Sequence, residues 1–330
     1  MIDLGVTKWF ALLLILYDLQ VFGQQLPDST QSIAVLWANE RQVEDPIPRF
    51  EGDEVVMPFT MAGRLILLEA RVDTLIGNFI LDTGAPFLVL NKSWFRGYGT
   101  AAMAQAGGIT GGASDVMTTR VAKVQLGQID YFRVEADVIE LGHIEKSRGV
   151  PILGLLGLNL FKSFEVFIDY EKQELRLYKL DKKGKRIIPN NRKPIGQLPF
   201  YLYNNTILMD GTLNGVQMRF CLDTGAEVNV LHNRLPKKAM ETVQITSRSV
   251  LTGTGNRKIE VLRGNMDKVH VSKFHCPLMP TLITHLGNMS RAYNLRIDGM
   301  LGYDFLSFAP VSINFVTEEI TFWELEETQP

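Results

Sequence analysis

An internal repeat limits how this chain can fold. A seven-residue block ending in Leu-Asp-Thr-Gly-Ala begins at Phe79 and recurs, with one substitution, at Phe220. Met57-Pro58-Phe59 likewise returns as Leu198-Pro199-Phe200, and both matches have the same offset of 141 residues. Blocks that recur in order at one offset predict two copies of a single structural unit.

Later landmarks extend the repeat towards the C-terminus. Gly154-Leu155-Leu156-Gly157 returns as Gly299-Met300-Leu301-Gly302, at an offset of 145 residues. The copies therefore differ by a net four residues, inserted between the two groups of landmarks. The other landmarks at this second offset are Leu160-Phe161 with Phe305-Leu306, and Glu174-Leu175 with Glu319-Ile320.

Each copy has the residue pattern of a mainly β unit. Leu65–Val72 and residues 79–81 are apolar stretches of strand type, and we place a turn between them at Gly77-Asn78. Asn214-Gly215 marks a hairpin in the second copy, because Asn-Gly is the strongest short hairpin signal. Each copy is predicted to close on a further hairpin. The predicted helices are short, at 158–164 and 303–308.

These patterns divide the chain into five parts. We place a signal peptide at 1–23, an N-terminal extension at 24–50, a first lobe at 51–180, a linker at 181–195 and a second lobe at 196–325. The linker is basic, contains Pro and Gly, and lacks an apolar period, which predicts an exposed connection.

The N-terminus has the pattern of an export signal. Lys8 precedes an apolar run at 9–17, which is too short for a bilayer span of about 20 residues. It has the length of a signal-peptide core, with cleavage expected before Gln24. A membrane anchor and a buried N-terminal strand are the less favoured alternatives. We therefore expect export, to the periplasm or the exterior. Residues 32–37 are predicted to add a strand.

Composition excludes some classes of function. The formal net charge of −2 gives no general attraction to nucleic acid or to anionic membranes. The five histidines lack a metal-binding spacing, so we expect no metal site, and the paired-acid chemistry described below needs no organic cofactor either. Cys221 lies in an apolar run that suits a buried free thiol, but pairing with Cys276 stays open.

The repeated Asp-Thr-Gly sequence carries the chemistry. An aspartate that directly follows apolar strand residues is drawn towards an apolar environment, where an isolated charge is costly. A single copy would be weak evidence, since one such loop serves equally well as a structural turn. Two copies at equivalent positions of a repeat can face each other across a pseudo-twofold axis. Their carboxyls would then share a proton and act together as acid and base on a water molecule.

These loops, with the glycine-containing blocks that follow, resemble the retropepsin/pepsin clan of aspartic proteases, and most closely its bacterial retropepsin-like members. The resemblance covers residues 51–325 and implies two tandem β-barrel lobes. It implies that Asp82 and Asp223 form the catalytic dyad. It further implies an interlobe hydrogen-bond lattice of Thr83 and Thr224, with Gly84 and Gly225 permitting its geometry, and glycine blocks packed beneath the loops.

The same resemblance implies a mobile hairpin flap over the cleft. Glycine-rich segments supply candidates in both copies, although ordinary flexible turns have the same composition. The candidate residues are Gly107, Gly108, Gly111 and Gly112 in the first copy, and Gly253 and Gly255 in the second.

The two loops differ directly after the shared Ala. Position 86 is Pro, whereas its counterpart is Glu227. We expect Glu227 to face solvent or to make hydrogen bonds between the lobes. If it points inward, its charge would raise the pKa of Asp223.

Taken together, the sequence predicts a secreted aspartic endopeptidase that hydrolyses a peptide or protein substrate. A monomer is expected, and a homodimer stays open. One alternative is a non-catalytic peptide-binding protein that keeps the protease fold. Another is an enzyme whose lobes pair between chains.

Overall fold

The computed structural model describes residues 10–13, 35–37, 43–98, 101–107, 113–252, 258–292 and 295–325. The chain forms two tandem lobes built mainly of β-strands, one from each copy of the repeat. The predicted fold class, two retropepsin-like β-barrel lobes related by a pseudo-twofold axis, is confirmed.

The N-terminal half contributes thirteen strands, one helix and a 3-10 turn, Leu158–Leu160, to the described part of the chain. Their bounds are β1 Phe10–Leu13, β2 Val35–Trp37, β3 Glu54–Pro58, β4 Thr60–Ala62, β5 Leu65–Val72, β6 Leu75–Asp82, β7 Leu88–Asn91, β8 Ala101–Gly107, β9 Ala113–Leu126, β10 Ile129–Ile139, α1 Gly142–Arg148, β11 Gly154–Gly157, β12 Phe164–Asp169 and β13 Glu174–Lys179.

The C-terminal half contributes a further thirteen strands and three short helices to the described residues. Their bounds are β14 Pro194–Pro199, β15 Tyr201–Tyr203, β16 Thr206–Leu213, β17 Val216–Leu222, β18 Asn229–His232, α2 Lys237–Met240, β19 Val243–Thr252, β20 Lys258–Met266, β21 Val269–Val271, β22 Phe274–His275, β23 Met279–Thr284, α3 Gly287–Ala292, β24 Gly299–Leu301, α4 Tyr303–Leu306, β25 Val311–Asn314 and β26 Glu319–Trp323.

The two lobes share a strand order but differ in closure. In the first lobe, β8, β9, β10, β7, β11, β6 and β5 are hydrogen-bonded in this order, and β9 also pairs with β5, which closes a barrel. In the second lobe, the order β19, β20, β23, β18, β24, β17, β16 stays open as a half-barrel. Strands β7 and β11 are buried at every residue, as expected of strands covered on both faces.

A six-stranded sheet joins the lobes, in the order β14, β26, β25, β12, β13, β3. At its centre β12 pairs antiparallel with β25, and Val166 lies opposite Ile313. Three strands come from each half of the chain, so neither lobe completes this sheet alone. One hydrophobic core cluster, which includes both of these residues, extends through the sheet into both lobes.

The predicted turn at Gly77-Asn78 is wrong. Strand β6 runs unbroken through both residues, and the turn lies at Asp73-Thr74, where Asp73 has a φ of 51°. Gly77 instead permits close packing, because a Cβ there would lie 2.7 Å from Leu153 Cδ1. The Asn214-Gly215 turn is confirmed, with φ values of 49° and 72°.

The predicted helices are shorter than expected. The first is only the 3-10 turn Leu158–Leu160, and the second is α4, which ends at Leu306. The helices α1, α2 and α3 were not predicted from the sequence. Within the described residues, no helix is long and apolar enough to cross a membrane.

Part of the predicted signal peptide forms a strand in the full chain. β1 pairs antiparallel with β2 and parallel with β8. Signal-peptide cleavage therefore stays a prediction about processing. The cysteine question is answered, since Cys221 and Cys276 are both free and buried.

Candidate active site

Each Asp-Thr-Gly sequence lies where a buried strand ends and the chain turns. Asp82 is the last residue of β6, and Asp223 directly follows β17. The parallel strand β11 sets Gly157 opposite Asp82, and the Asp223 N–H donates to the Leu301 carbonyl of β24 at 3.0 Å. Both aspartates have 0% of their surface exposed. The glycine blocks thus pack beneath the loops, as the resemblance implied.

Thr83 and Thr224 join the two loops symmetrically. The Thr83 N–H donates to Thr224 Oγ1 at 3.0 Å, and the Thr224 N–H donates to Thr83 Oγ1 at 3.0 Å. The Thr224 hydroxyl also donates to the Leu81 carbonyl at 2.9 Å. Buried backbone groups need such partners, so the lattice fixes one loop against the other.

The two carboxyls meet at a single backbone N–H. The Gly84 N–H lies within hydrogen-bonding distance of Asp82 Oδ1, at 2.9 Å, and of Asp223 Oδ1, at 3.2 Å. Asp82 Oδ1 also accepts from the Ala85 N–H at 3.1 Å, and Asp223 Oδ1 from the Gly225 N–H at 2.8 Å. The two acidic side chains, 141 positions apart in sequence, therefore occupy one site.

Gly84 and Gly225 make room for the opposite carboxyl. A Cβ on Gly84 would lie 2.6 Å from Asp223 Oδ2, and a Cβ on Gly225 would lie 2.7 Å from Asp82 Cγ. Real Cβ atoms do not approach this closely, so any side chain here would push the carboxyls apart. The close approach of the two acids therefore requires glycine at both positions.

Burial and mutual repulsion favour protonation of the pair. Burial, followed by the charge of Asp223, raises the pKa of Asp82 well above its ordinary value. Burial also raises the pKa of Asp223, to about 6, although the Gly225 N–H opposes this shift. Two such groups titrate as a unit, so one proton is held between them over a range of pH.

One oxygen of each carboxyl is left for chemistry. Asp82 Oδ2 and Asp223 Oδ2 are buried and have no hydrogen-bond partner among the described residues. Buried polar atoms without a partner are rare in folded proteins, and a catalytic role is one of the reasons for them. A water molecule with two donors and two acceptors would satisfy both.

Comparison with known protein families shows which family the chain belongs to. A family model described as aspartyl protease matches residues 68–160 and 209–305, one stretch in each lobe. The chain belongs to the aspartyl protease family. Each matched stretch contains one Asp-Thr-Gly loop and the glycine block that packs beneath it. No curated protein matches the sequence significantly.

The strands on either side of the flap candidates of this aspartyl protease pair as two long hairpins. β8 and β9 pair as far as Gly107 with Ala113, and β19 and β20 pair as far as Thr252 with Lys258. Gly107 is thus the last residue of β8, and a flap role for it stays a prediction. The other candidates, Gly108, Gly111, Gly112, Gly253 and Gly255, lie outside the described residues.

Glu227 does not face solvent, which corrects one of the two expectations for it. Its side chain is fully buried and forms an ion pair with Arg148, at the end of α1 in the other lobe. Burial raises the pKa of Glu227 above its ordinary value, while the charges of Arg148 and Arg64 oppose the shift and favour the ionised form. The interlobe role is therefore the observed one.

Arg64 adds a second link between the lobes. Its Nη1 donates to the Glu227 carbonyl at 3.1 Å and to Asp304 Oδ2 at 2.9 Å, and its guanidinium lies 5.0 Å from the centre of the Tyr303 ring. Sequence reasoning missed both arginines. A buried carboxylate such as that of Glu227 needs a nearby cation. The sequence around Glu227 does not indicate which of the many arginines supplies it.

The described residues offer no group of three or more metal-ligating side chains. The neighbouring His270 and His275 stack on each other instead, with ring centres 4.6 Å apart.

Proposed function

We propose that this protein is an aspartic endopeptidase in which Asp82 and Asp223 form one catalytic dyad. The observation that carries the proposal is the Gly84 N–H shared by the two Oδ1 atoms, with both Oδ2 atoms buried and unpartnered. Two carboxyls held this close share a proton, so the pair offers a base and an acid together.

The first chemical step is the addition of water. The ionised carboxylate accepts a proton from a water molecule as the water oxygen attacks the peptide carbonyl carbon. The protonated carboxyl donates its proton to the carbonyl oxygen, and a neutral tetrahedral diol forms. Donor and acceptor roles are then exchanged between Asp82 and Asp223.

The second step breaks the peptide bond. The carboxyl that gained the water proton passes a proton to the amide nitrogen, and the other carboxylate removes a proton from a diol hydroxyl. The C–N bond then breaks to give a carboxylic acid and an amine. The dyad returns to its starting state with one proton, so atoms and charge balance without a metal or organic cofactor.

A cleavage assay with the purified chain tests this proposal. We expect hydrolysis of an unfolded protein at internal peptide bonds, located by mass spectrometry of the fragments. Inhibitors with a hydroxyl in place of the scissile carbonyl should block it, because they mimic the tetrahedral diol. Asp223→Asn should lower the rate by a factor on the order of 10³ or more.

A matched control separates loss of chemistry from loss of fold. Asp210→Asn removes an exposed carboxylate of β16 that pairs with Arg219, and surface pairs contribute little to stability. This variant should keep full activity. Peptide binding without cleavage by the wild-type chain would instead favour the non-catalytic alternative.

We further propose that the active form is a monomer and is exported. The Thr83 and Thr224 bonds link lobes of one chain, which favours pairing within the chain over pairing between chains. Active material should have the mass of one chain in solution.

Export predicts a mature N-terminus at Gln24, which mass spectrometry of the processed protein would detect. An unprocessed N-terminus on exported protein would contradict it.

A further inference from the structure

The two Asp-Thr-Gly loops continue into segments whose backbone carbonyls are held in different ways. The residue after the glycine is alanine in both lobes, and its carbonyl is held alike in both. In the first lobe the Leu158 N–H donates to the Ala85 carbonyl at 2.8 Å. In the second lobe the Tyr303 N–H donates to the Ala226 carbonyl, also at 2.8 Å. The pseudo-twofold relation of the loops therefore extends as far as this alanine.

The next carbonyl breaks the symmetry. In the first lobe the Asn159 N–H donates to the Pro86 carbonyl at 3.2 Å, so this loop is closed within its own lobe. The equivalent Glu227 carbonyl accepts from Arg64 Nη1 at 3.1 Å, and no backbone N–H of the described residues donates to it. Arg64 lies in the turn between β4 and β5, in the first lobe. The second loop is therefore completed by the opposite lobe.

Arg64 is itself held in one position. Its Nη1 also donates to Asp304 Oδ2 at 2.9 Å, and its guanidinium lies 5.0 Å from the centre of the Tyr303 ring. The Asp304 side chain is 10% exposed; burial raises its pKa, and the charge of Arg64 opposes this shift. Hydrogen bonds between charged groups are stronger than those between neutral groups. One nitrogen atom thus joins the loop after Asp223 to helix α4.

The turn that carries Arg64 also packs directly on the second loop. Gly63 has a φ of 64°, and a Cβ there would lie 2.7 Å from Arg148 Nη1 and 3.2 Å from Glu227 Oε2. A side chain at this position would push both groups away, so glycine permits the close approach of the turn. Packing and hydrogen bonding therefore both set the distance between this turn and the second loop.

The equivalent positions beside the first loop carry neutral amides. The offset of 141 residues places Asn205 at the position of Arg64, and the offset of 145 sets Asn159 against Asp304. Asn205 Oδ1 accepts from Lys162 Nζ at 2.6 Å. Both side-chain polar atoms of Asn159 are buried and have no hydrogen-bond partner among the described residues. The guanidinium and carboxylate that support the second loop are therefore replaced by amides at the first.

We infer that Arg64 is a positioning residue for Asp223, which it fixes through the Glu227 carbonyl four residues further along the loop. This inference rests on the proposed protease function. The Gly84 N–H reaches Asp223 Oδ1 across the lobes at 3.2 Å, the upper end of the usual range for a hydrogen bond. A small shift of the second loop therefore separates the two carboxyls. Misplacement of a catalytic group by about 1 Å lowers a rate by on the order of 10²-fold.

Steady-state kinetics on one peptide test this role. Arg64→Met removes the donor, and we expect kcat to fall about tenfold or more. KM should change by less than about twofold, because Arg64 acts through the loop and not on the substrate. Arg64→Lys should recover most of kcat, since a single nitrogen makes both hydrogen bonds. Should Arg64→Met fail to fold, Arg64→Gln, which keeps a shorter neutral donor, takes its place.

The pseudo-twofold relation supplies the matched control. Asn205→Gly removes the side chain at the position equivalent to Arg64, and the φ of 58° at Asn205 suits glycine. This variant should keep the kcat of the wild type, because the first loop is closed by its own backbone.

The pH dependence of kcat/KM separates positioning from loss of stability. The charge of Asp223 contributes to the raised pKa of Asp82, so carboxyls that move apart repel each other less. The Arg64→Met profile should therefore fall at a lower pH on its basic side than the wild-type profile. The described groups that shift the pKa of the two aspartates lie in the loops themselves, so loss of the Arg64 charge should not move the profile directly. Loss of folded protein lowers the whole profile without moving it.

A measurement without turnover keeps this inference separate from the protease function. In protein labelled with ¹³C at the aspartate carboxyls, an NMR titration follows the dyad in the wild type and in Arg64→Met. We expect the two titration steps of the pair to lie closer together in the variant. Wild-type kcat and an unchanged dyad titration in folded Arg64→Met would overturn the inference, as would an equal loss of activity in Asn205→Gly. Absence of cleavage by the wild type would refute the protease function and leave the titration to test Arg64.

Discussion

The side-chain hydrogen bonds of Thr224 can be removed by a substitution that keeps the shape of the side chain. Its hydroxyl accepts from the Thr83 N–H and donates to the Leu81 carbonyl. Thr224→Val keeps the volume but leaves both backbone groups buried and unpaired. Each such group costs about 1–3 kcal/mol. We expect a lower free energy of unfolding in urea and a displaced dyad with reduced kcat.

Thr224→Ser is the control for this prediction. It keeps the hydroxyl and loses only a methyl group, so most of the stability and activity should return. Equal losses in the Val and Ser variants would show that packing, and not hydrogen bonding, holds the loops together.

The dyad should reduce stability at neutral pH. A carboxyl whose pKa is raised by folding binds its proton more tightly in the native state. Its favourable contribution is therefore present at low pH and is lost as the pH rises from the ordinary value of 3.8 through the raised value of about 6 for Asp223. Asp223→Asn removes this loss of stability at higher pH, because asparagine does not ionise.

We therefore expect Asp223→Asn to be more stable than the wild type at pH 7.5, by on the order of 1–2 kcal/mol. The Tm should be higher by a few degrees at that pH, and the difference should shrink at pH 4. An unchanged Tm difference across this range would contradict the raised pKa.

The residues of the candidate site that could be predicted from sequence are those that occur in both copies of the repeat. Asp82 and Asp223, with the threonines and glycines that follow, were all found from the recurring block. Arg148 was not, because its contact with Glu227 arises from the packing of the lobes and has no counterpart in local sequence. Charge alone says that a buried Glu227 needs a cation, whereas tertiary structure decides which one.

Among the secondary-structure elements, β11 and β24 support the dyad through glycine. A Cβ on Gly157 would lie 2.0 Å from the Phe87 carbonyl oxygen, and one on Gly302, next to β24, 2.3 Å from the Ala226 carbonyl oxygen. These contacts are with backbone, which cannot yield locally. The strands therefore pack in direct contact with the loops that carry the aspartates.

Gly157→Ala should accordingly displace the first loop. We expect the free energy of unfolding to fall by about 1–3 kcal/mol and kcat to fall as well. Gly142→Ala is the control, since its Cβ would meet only the end of the Glu140 side chain, which can move. Normal activity in Gly157→Ala would show that the close packing of β11 does not position the dyad.

Local sequence signals placed the Asn214-Gly215 turn correctly but misplaced its counterpart in the first lobe, which the repeat locates. The offset of 141 maps the Asn214-Gly215 turn onto Asp73-Thr74, which is where the first turn lies. Gly77-Asn78 has turn-like composition but serves packing against Leu153. The short helices α1, α2 and α3 were missed because tertiary contacts, and not long apolar periods, stabilise them.

At the scale of the whole molecule, a shared sheet and a buried ion pair hold the lobes in register. Arg148 and Glu227 have side-chain exposures of 2% and 0%, so removing one partner leaves an uncompensated group in the interior. Arg148→Met should cost about 3–5 kcal/mol in unfolding free energy. Arg64→Met should cost less, because Arg64 is 32% exposed.

The double variant Arg148→Met with Glu227→Met sharpens this prediction. Replacing both partners by apolar groups should recover most of the loss, because no buried charge is then left unpaired. Strictly additive losses in the double-mutant cycle would contradict a direct interaction across the lobes.

The association of the lobes was predictable from sequence only in outline. A doubled acidic motif indicates that two units must meet, and the repeat indicates a pseudo-twofold relation. Neither gives the six-stranded sheet, since Val166 and Ile313 lie opposite each other only after both hairpins have folded. Closure of the first barrel likewise depends on the long-range pairing of β9 with β5.

The proposal that Asp82 and Asp223 act as one unit can be decided by steady-state kinetics. We would measure kcat/KM on one peptide for the wild type, Asp82→Asn, Asp223→Asn and the double variant. We expect each single variant to lose about as much activity as the double, because half a dyad does not catalyse. Substantial activity in either single variant, or losses that multiply in the double, would contradict it.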